Sequence, residues 1–264
     1  MEFKKYNNLV ELFLEQTKIQ SKDTIFLSSL KDPKVNFSWN EVKSIVSSLA
    51  KKISNTIQKE DRCLLISENR PEWMISDLSI MLAGGITVPA YTTYVSRDYE
   101  YIINDCTPSI VFVSDDTQFN KVKNICERSP FIKKIFSFET LTGVDVKTYF
   151  NIGNMIKNKN FSDTSEFKLT STRSDPACII YTSGTQGNPK GVILSHGGIL
   201  SNCEGGYKLL KPILEKETRF LTWLPLSHSY EHAVQFIQIA VGAKVFYAES
   251  IDKLIKNMSD CSPH

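Results

Sequence analysis

No apolar stretch in this chain is long enough to cross a bilayer as a helix. The longest mostly apolar run, Leu78 to Tyr91, falls short of the roughly 20 residues a span requires and is broken by Gly84-Gly85 and Pro89. The start, Met1-Glu-Phe-Lys-Lys, has no apolar core behind its lysines, which argues against a secretory signal peptide. Charge of one sign is missing too: 31 Lys and Arg stand against 29 Asp and Glu, a net of +2, and the basic residues form no stripe. That balance gives no reason to expect nucleic acid as a partner. None of the six cysteines (Cys63, Cys106, Cys126, Cys178, Cys203 and Cys261) forms a Cys-x-x-Cys pair, which disfavours a zinc knuckle. A chain this long has no need of a disulfide framework, so all six read as reduced thiols of a cytoplasmic protein. No internal repeat or low-complexity tract stands out. Peripheral membrane contact and oligomeric state stay open.

What is present is enough for a large core: 264 residues, 41% of them hydrophobic. Ser38-Trp-Asn-Glu41 reads as a capping box, with Val42, Ile45, Val46, Leu49 and Ile53 following at helical spacing. Cys63 to Ile66 reads as a buried strand. Pro71 opens a helix with Trp73, Leu78 and Leu82 on one face, Gly84-Gly85 stops it, and Ile86 to Val88 is the next strand. Further helices are expected over Tyr99–Asn104 and Gln118–Cys126, with strands over Ile110–Val113 and Lys134–Phe138. This alternation predicts an α/β fold with a largely parallel sheet covered by helices. From about Glu139 to Ser174 the pattern weakens into a polar excursion with room for one short helix. Beyond it, Ser195 or Asn202 is a candidate helix cap, Thr222–Leu224 a strand, His232–Ala240 a helix and Lys244–Tyr247 a strand. Ser250 starts a helix with Ile251, Leu254, Ile255 and Met258 on one apolar face. Trp39, Trp73 and Trp223 read as core residues.

The segment richest in chemistry is Tyr181-Thr-Ser-Gly-Thr-Gln-Gly-Asn-Pro-Lys190-Gly-Val. Apolar runs flank it, Ala177–Tyr181 before and Val192–Leu194 after, so it reads as strand, polar turn, strand. Hydroxyls, flexible backbone and one cation are what a polyphosphate needs. The Walker loop does not fit: Pro189 precedes Lys190, Gly191 follows it, and no helix opens there.

Thr182 through Gly191 resembles the phosphate-binding signature of the adenylate-forming enzymes, which include acyl-CoA synthetases, luciferases and adenylation domains. Leu224-Pro-Leu-Ser-His-Ser-Tyr-Glu-His232 resembles the family's Leu-Pro-x-x-His segment. Glu68-Asn-Arg-Pro-Glu-Trp73, Ala83 to Tyr91, and Tyr94 through Cys106 resemble the long-chain fatty acyl-CoA synthetase branch in particular. The resemblance implies two adjacent, largely parallel sheets flanked by helices, the second incomplete. Residues of about 62–212 would form the first subdomain, and 1–61 with 213–264 the start of the second. It also implies an N-terminal fragment, lacking the family's later adenine, ribose and C-terminal-domain elements, with the inferred activity residing in a longer parent.

The implied reaction joins a fatty acid to the α-phosphate of ATP and passes the acyl group to coenzyme A. Two unit charges of like sign about 4 Å apart repel by about 4 kcal/mol at an effective dielectric near roughly 20, so neutralising phosphate is the main demand. By resemblance Thr182, Ser183, Gly184, Thr185, Gln186, Gly187 and Lys190 bind the nucleotide. Thr185 lends its hydroxyl to Mg²⁺, and Lys190 and His228 serve catalysis. His232 reads as either tunnel lining or helix surface, and His196 as part of the turn after Leu194. Two alternatives stand beside this reading: a ligase that stops at, or diverts, the acyl-adenylate, and a non-catalytic nucleotide-binding fragment.

Overall fold

A computed structural model of the chain describes residues 2–144, 148–157, 161, 167, 169–182, 189–213 and 217–263. The chain opens with α1 (Leu9–Ile19), β1 (Ile25–Ser29), β2 (Asn36–Ser38) and α2 (Trp39–Ser54). Strand–helix units follow: β3 (Arg62–Ile66), α3 (Pro71–Leu82), β4 (Ile86–Ala90), α4 (Ser96–Cys106), β5 (Ile110–Val113), α5 (Asp116–Arg128) and β6 (Lys134–Ser137). After them come β7 (Tyr149–Asn151), α6 (Ile152–Lys157), β8 (Pro176–Thr182), β9 (Lys190–Ser195) and α7 (His196–Leu210). The last elements are β10 (Arg219–Thr222), α8 (Ser229–Ala240), β11 (Lys244–Tyr247) and α9 (Leu254–Cys261).

Local signals account for many of these boundaries. Ser38 and Glu41 form the expected reciprocal capping box on α2. Pro71 occupies the first turn of α3, where its missing N–H costs nothing. Gly84, with φ of +83°, takes the left-handed turn that leads out of α3. Ser195, rather than Asn202, caps α7 through the N–H of Gly198.

The strands form two sheets. The larger runs in the order β7-β6-β5-β3-β4-β8-β9 and is parallel throughout except for the β8–β9 hairpin. The smaller runs β10-β11-β1-β2, parallel except for β1–β2. Both are largely parallel, as the resemblance implied. Alternation along the strands divides the core. Cys63, Leu65, Ile110 and Phe112 face α2 and α3, while Leu64, Ile66, Val111 and Val113 face α4 and α5. Every residue of α3 is buried, so the helix expected to have one apolar face is an interior helix. No helix among the described residues is long and apolar enough to cross a membrane.

Several expectations need correction. The strand expected at Thr222–Leu224 lies earlier, over Arg219–Thr222, and Trp223, expected in the core, is 40% exposed. The helix after Ser250 begins as a 3₁₀ turn and continues as α9, but its apolar face points outward. Ile251 is 75% and Ile255 86% exposed, while Asn257 and Cys261 are the buried positions. Anchoring overrides amphipathicity there: Asn257 accepts the N–H of Glu249, and Arg219 donates to the carbonyl of Cys261. His196 is the buried first residue of α7, not a turn residue.

Candidate functional site

Strand β8 is anchored by Ala177, Cys178, Ile180 and Tyr181, all buried, and surfaces at Thr182. Strand β9 returns antiparallel, pairing Thr182 with Lys190 and Tyr181 with Gly191. The two flanking strands are thus as expected, and the turn between them lies outside the described residues. Ser183, Gly184, Thr185, Gln186 and Gly187 lie outside the described residues. Thr182 and Lys190 are described, opposite one another at the hairpin mouth and both exposed. Gly191 is required by close packing: a Cβ there would come 2.9 Å from Ile179 Cγ2 and 3.3 Å from Tyr181 Cζ. Tyr181 in turn donates its hydroxyl proton to Asp105 of α4.

Parallel pairing sets the position of this mouth. Register matches Ile66 with Ala90 and Thr87 with Cys178, so β3, β4 and β8 end at one edge of the large sheet. In open α/β sheets that carboxyl edge is where ligands bind. Asn69, just past β3, ties a distant segment to the same edge. Its Nδ2 donates to the carbonyl of Leu224 at 2.6 Å and its Oδ1 accepts the N–H of Leu226 at 3.0 Å. Two separately matched segments, Glu68–Trp73 and Leu224–His232, therefore meet through one side chain. Arg70, beside it, is held between Glu72 and Glu139 at 3.0 and 3.1 Å.

His228 is the N-cap of α8 and is exposed. Its Nδ1 accepts the N–H of Tyr230 at 3.2 Å. An accepting Nδ1 leaves the proton of the neutral ring on Nε2, so His228 presents one N–H donor at the positive end of a helix. In the same turn lies Glu231, which is buried. Burial pushes its carboxyl up to about 7, with a bond to Thr222 pulling the other way.

His232 is not a helix-surface residue. It is fully buried, with Nε2 2.9 Å from Asp77 Oδ2 and Nδ1 3.4 Å from Cys178 Sγ. Sequence reasoning missed Asn69 and Asp77; the only signal was that Asn69 lies inside a family-like segment.

Two cavities of about 340 and 360 Å³ are formed by the described residues, the first against α5 and β6 and the second against α1. Neither is lined by Thr182, Lys190 or His228. Among the described residues no group of three or more His, Cys, Asp or Glu could hold a metal. The described hairpin mouth offers a hydroxyl and an ammonium, a donor set that does not hold Mg²⁺ by itself.

The family model described as AMP-binding enzyme matches residues 14–261. Long chain acyl-CoA synthetase 3 of Arabidopsis thaliana is 29% identical over 238 residues, covering 85% of this chain and 35% of that protein. The long-chain-fatty-acid–CoA ligase FadD15 of Mycobacterium tuberculosis is 27% identical over 214 residues, covering 80% of this chain and 35% of its own length. The chain thus spans about a third of the length of these curated relatives. Among solved structures, a long-chain-fatty-acid-CoA ligase (FadD1) from Archaeoglobus fulgidus superposes with a TM-score of 0.79 at 18% identity. The match covers 97% of this chain and 50% of that one. At that identity the likeness is one of fold.

Proposed function

The chain belongs to the AMP-binding enzyme family, and from that premise we propose that it serves ATP-dependent activation of a long-chain fatty acid in the whole protein. A carboxylate oxygen of the fatty acid forms a bond to the α-phosphorus of ATP, and the bond to pyrophosphate breaks. The thiol of coenzyme A then attacks the acyl carbon; its proton goes to solvent and AMP departs.

The observation that carries this reading is the pair of hydrogen bonds that Asn69 makes with Leu224 and Leu226. It holds the His228 segment at the sheet edge where the Thr182–Lys190 mouth opens. Lys190 is the cation set against the phosphates, and Thr182 a hydroxyl donor beside it. The Nε2–H of His228 is the donor for charge that builds on the reacting carboxylate and α-phosphate. Ser183, Gly184, Thr185, Gln186 and Gly187 complete the cradle in this proposal, with Thr185 as the hydroxyl for Mg²⁺. Mg²⁺ then serves as the counter-ion accompanying the nucleotide. The names of the relatives support a fatty acid as substrate and CoA as acceptor.

Incubating the whole protein with fatty acid, ATP and CoA tests the reading. Thioester and AMP are the expected products. Adenylate without thioester would point instead to a ligase that delivers its acyl group elsewhere. Nucleotide binding without any adenylate would reduce the chain to a binding module.

A further inference from the structure

His232 lies one helical turn beyond His228 on α8, and the chemistry proposed above does not use it. Its ring is where three elements meet. Nε2 contacts Asp77 of α3 at 2.9 Å, and Nδ1 contacts Cys178 of β8 at 3.4 Å. From the same helix, Gln235 donates to the same Asp77 oxygen at 2.9 Å. Trp73 and Phe236 meet the ring edge-on at 5.6 and 5.5 Å and exclude water from it.

Each of these elements leads to the candidate site. Four residues along β8 from Cys178 stands Thr182, on the same face of the strand. One turn back along α8 stands His228, whose carbonyl accepts the N–H of His232 at 3.0 Å. The start of α3 follows directly from Asn69, which holds Leu224 and Leu226. A rigid joint beneath the site would therefore fix the first turn of α8 against the strand that enters the hairpin.

The joint is also electrostatically committed. Asp77 is fully buried, and its Oδ1 finds no hydrogen-bond partner among the described residues, so its charge is answered on one edge, by His232 and Gln235. A buried carboxylate stripped of its cation is strongly destabilising, which makes the pair hard to separate once formed. Burial draws the His232 imidazole toward the neutral form, but Asp77 and Cys178 together carry it well above the usual histidine range. A cationic ring satisfies both contacts as donors.

We propose that His232 is a positioning residue: clamped between Asp77 and Cys178, it sets His228 relative to the phosphate hairpin. The proposal rests on the reading that His228 and the hairpin serve one reaction.

Two measurements on the intact protein test it. The first is nuclear magnetic resonance of labelled histidine rings. His232 is expected to stay doubly protonated at pH values well above those at which an ordinary histidine loses its proton, and to lose that state in Asp77→Asn. A neutral ring at pH 7, indifferent to Asp77→Asn, overturns the clamp. The second is pyrophosphate exchange. His232→Gln is expected to lower kcat on the order of 10-fold with KM for ATP nearly unchanged, and to cost nothing further in a His228→Ala background. Effects that multiply overturn the positioning role. If His232→Gln alone fails to fold with Asp77 stranded, the paired variant Asp77→Asn/His232→Gln removes that charge, and the same comparison is made there. A His228→Ala protein with unchanged exchange would sink the reading of the site itself, whereas an unpaired His232 sinks only the clamp.

Discussion

Asn69 accepts the N–H of Leu226 at 3.0 Å while its amide nitrogen donates to the neighbouring carbonyl of Leu224 at 2.6 Å. One half-buried side chain thereby joins the end of β3 to a loop from the far half of the sequence. Asn69→Ala removes both bonds and leaves two backbone groups to find new partners. A loss of about 1–3 kcal/mol is expected, with a fall in adenylation because the His228 turn is freed. Urea unfolding reads the first effect and pyrophosphate exchange the second. A midpoint within error of wild type would show that the bridge is incidental.

Glu231 gives a pH dependence of definite sign. Burial raises its folded-state value to about 7 from an ordinary 4.5, so folding favours the protonated form. The stability it contributes is full below the unfolded value and is lost as pH climbs from about 4.5 through about 7. The loss is on the order of 3 kcal/mol at most. Glu231→Gln is therefore expected to raise Tm at pH 8 and leave it nearly unchanged at pH 4. Equal shifts at both pH values would remove the carboxyl as the cause.

Two glycines predict opposite outcomes for the same substitution. At Gly191 a new Cβ meets Ile179 at 2.9 Å and Tyr181 at 3.3 Å inside the hairpin. Gly191→Ala should cost about 1–3 kcal/mol through overpacking and displace the adjoining Lys190. At Gly205, exposed on α7, nothing lies within 4 Å. Gly205→Ala should stabilise by about 0.5–1 kcal/mol by restricting the unfolded chain. Thermal melts of the two variants decide both signs.

Much of the sheet was legible because its signals are local. Continuous apolar runs mark β3 and β5, which are buried on both faces, and serine and proline mark the starts of α2 and α3. Elements held by distant partners were not legible. Strand β1 is stabilised by β11 from the other end of the chain, and its own five residues carry little pattern. The outward-facing Ile255 and the inward-facing Asn257 follow hydrogen bonds that no periodicity encodes. The candidate site divides in the same way. The hairpin and His228 are motif residues, but Asn69 and the burial of His232 depend on which segments the fold brings together. Histidine on a helix reads as surface until its partners Asp77 and Cys178 are known.

Lys190 and His228 occupy different places in the proposed reaction, and kinetics should separate them. Lys190 sits exposed at the hairpin mouth, opposite Thr182, and in the proposed reaction it meets the phosphates both before and during the chemical step. Its charge should therefore favour bound ATP and the transition state alike, so Lys190→Ala is expected to raise KM for ATP and to slow exchange at subsaturating ATP, with little change at saturation. His228 has its Nδ1 occupied by the N–H of Tyr230 and can offer only Nε2–H. That donor matters where charge develops, so His228→Ala should lower kcat about 100-fold with little change in KM for ATP. His228→Asn, able both to cap the helix and to donate, should recover part of the loss. A large rise in KM with unchanged kcat for His228→Ala would move this residue from the reacting centre to nucleotide binding.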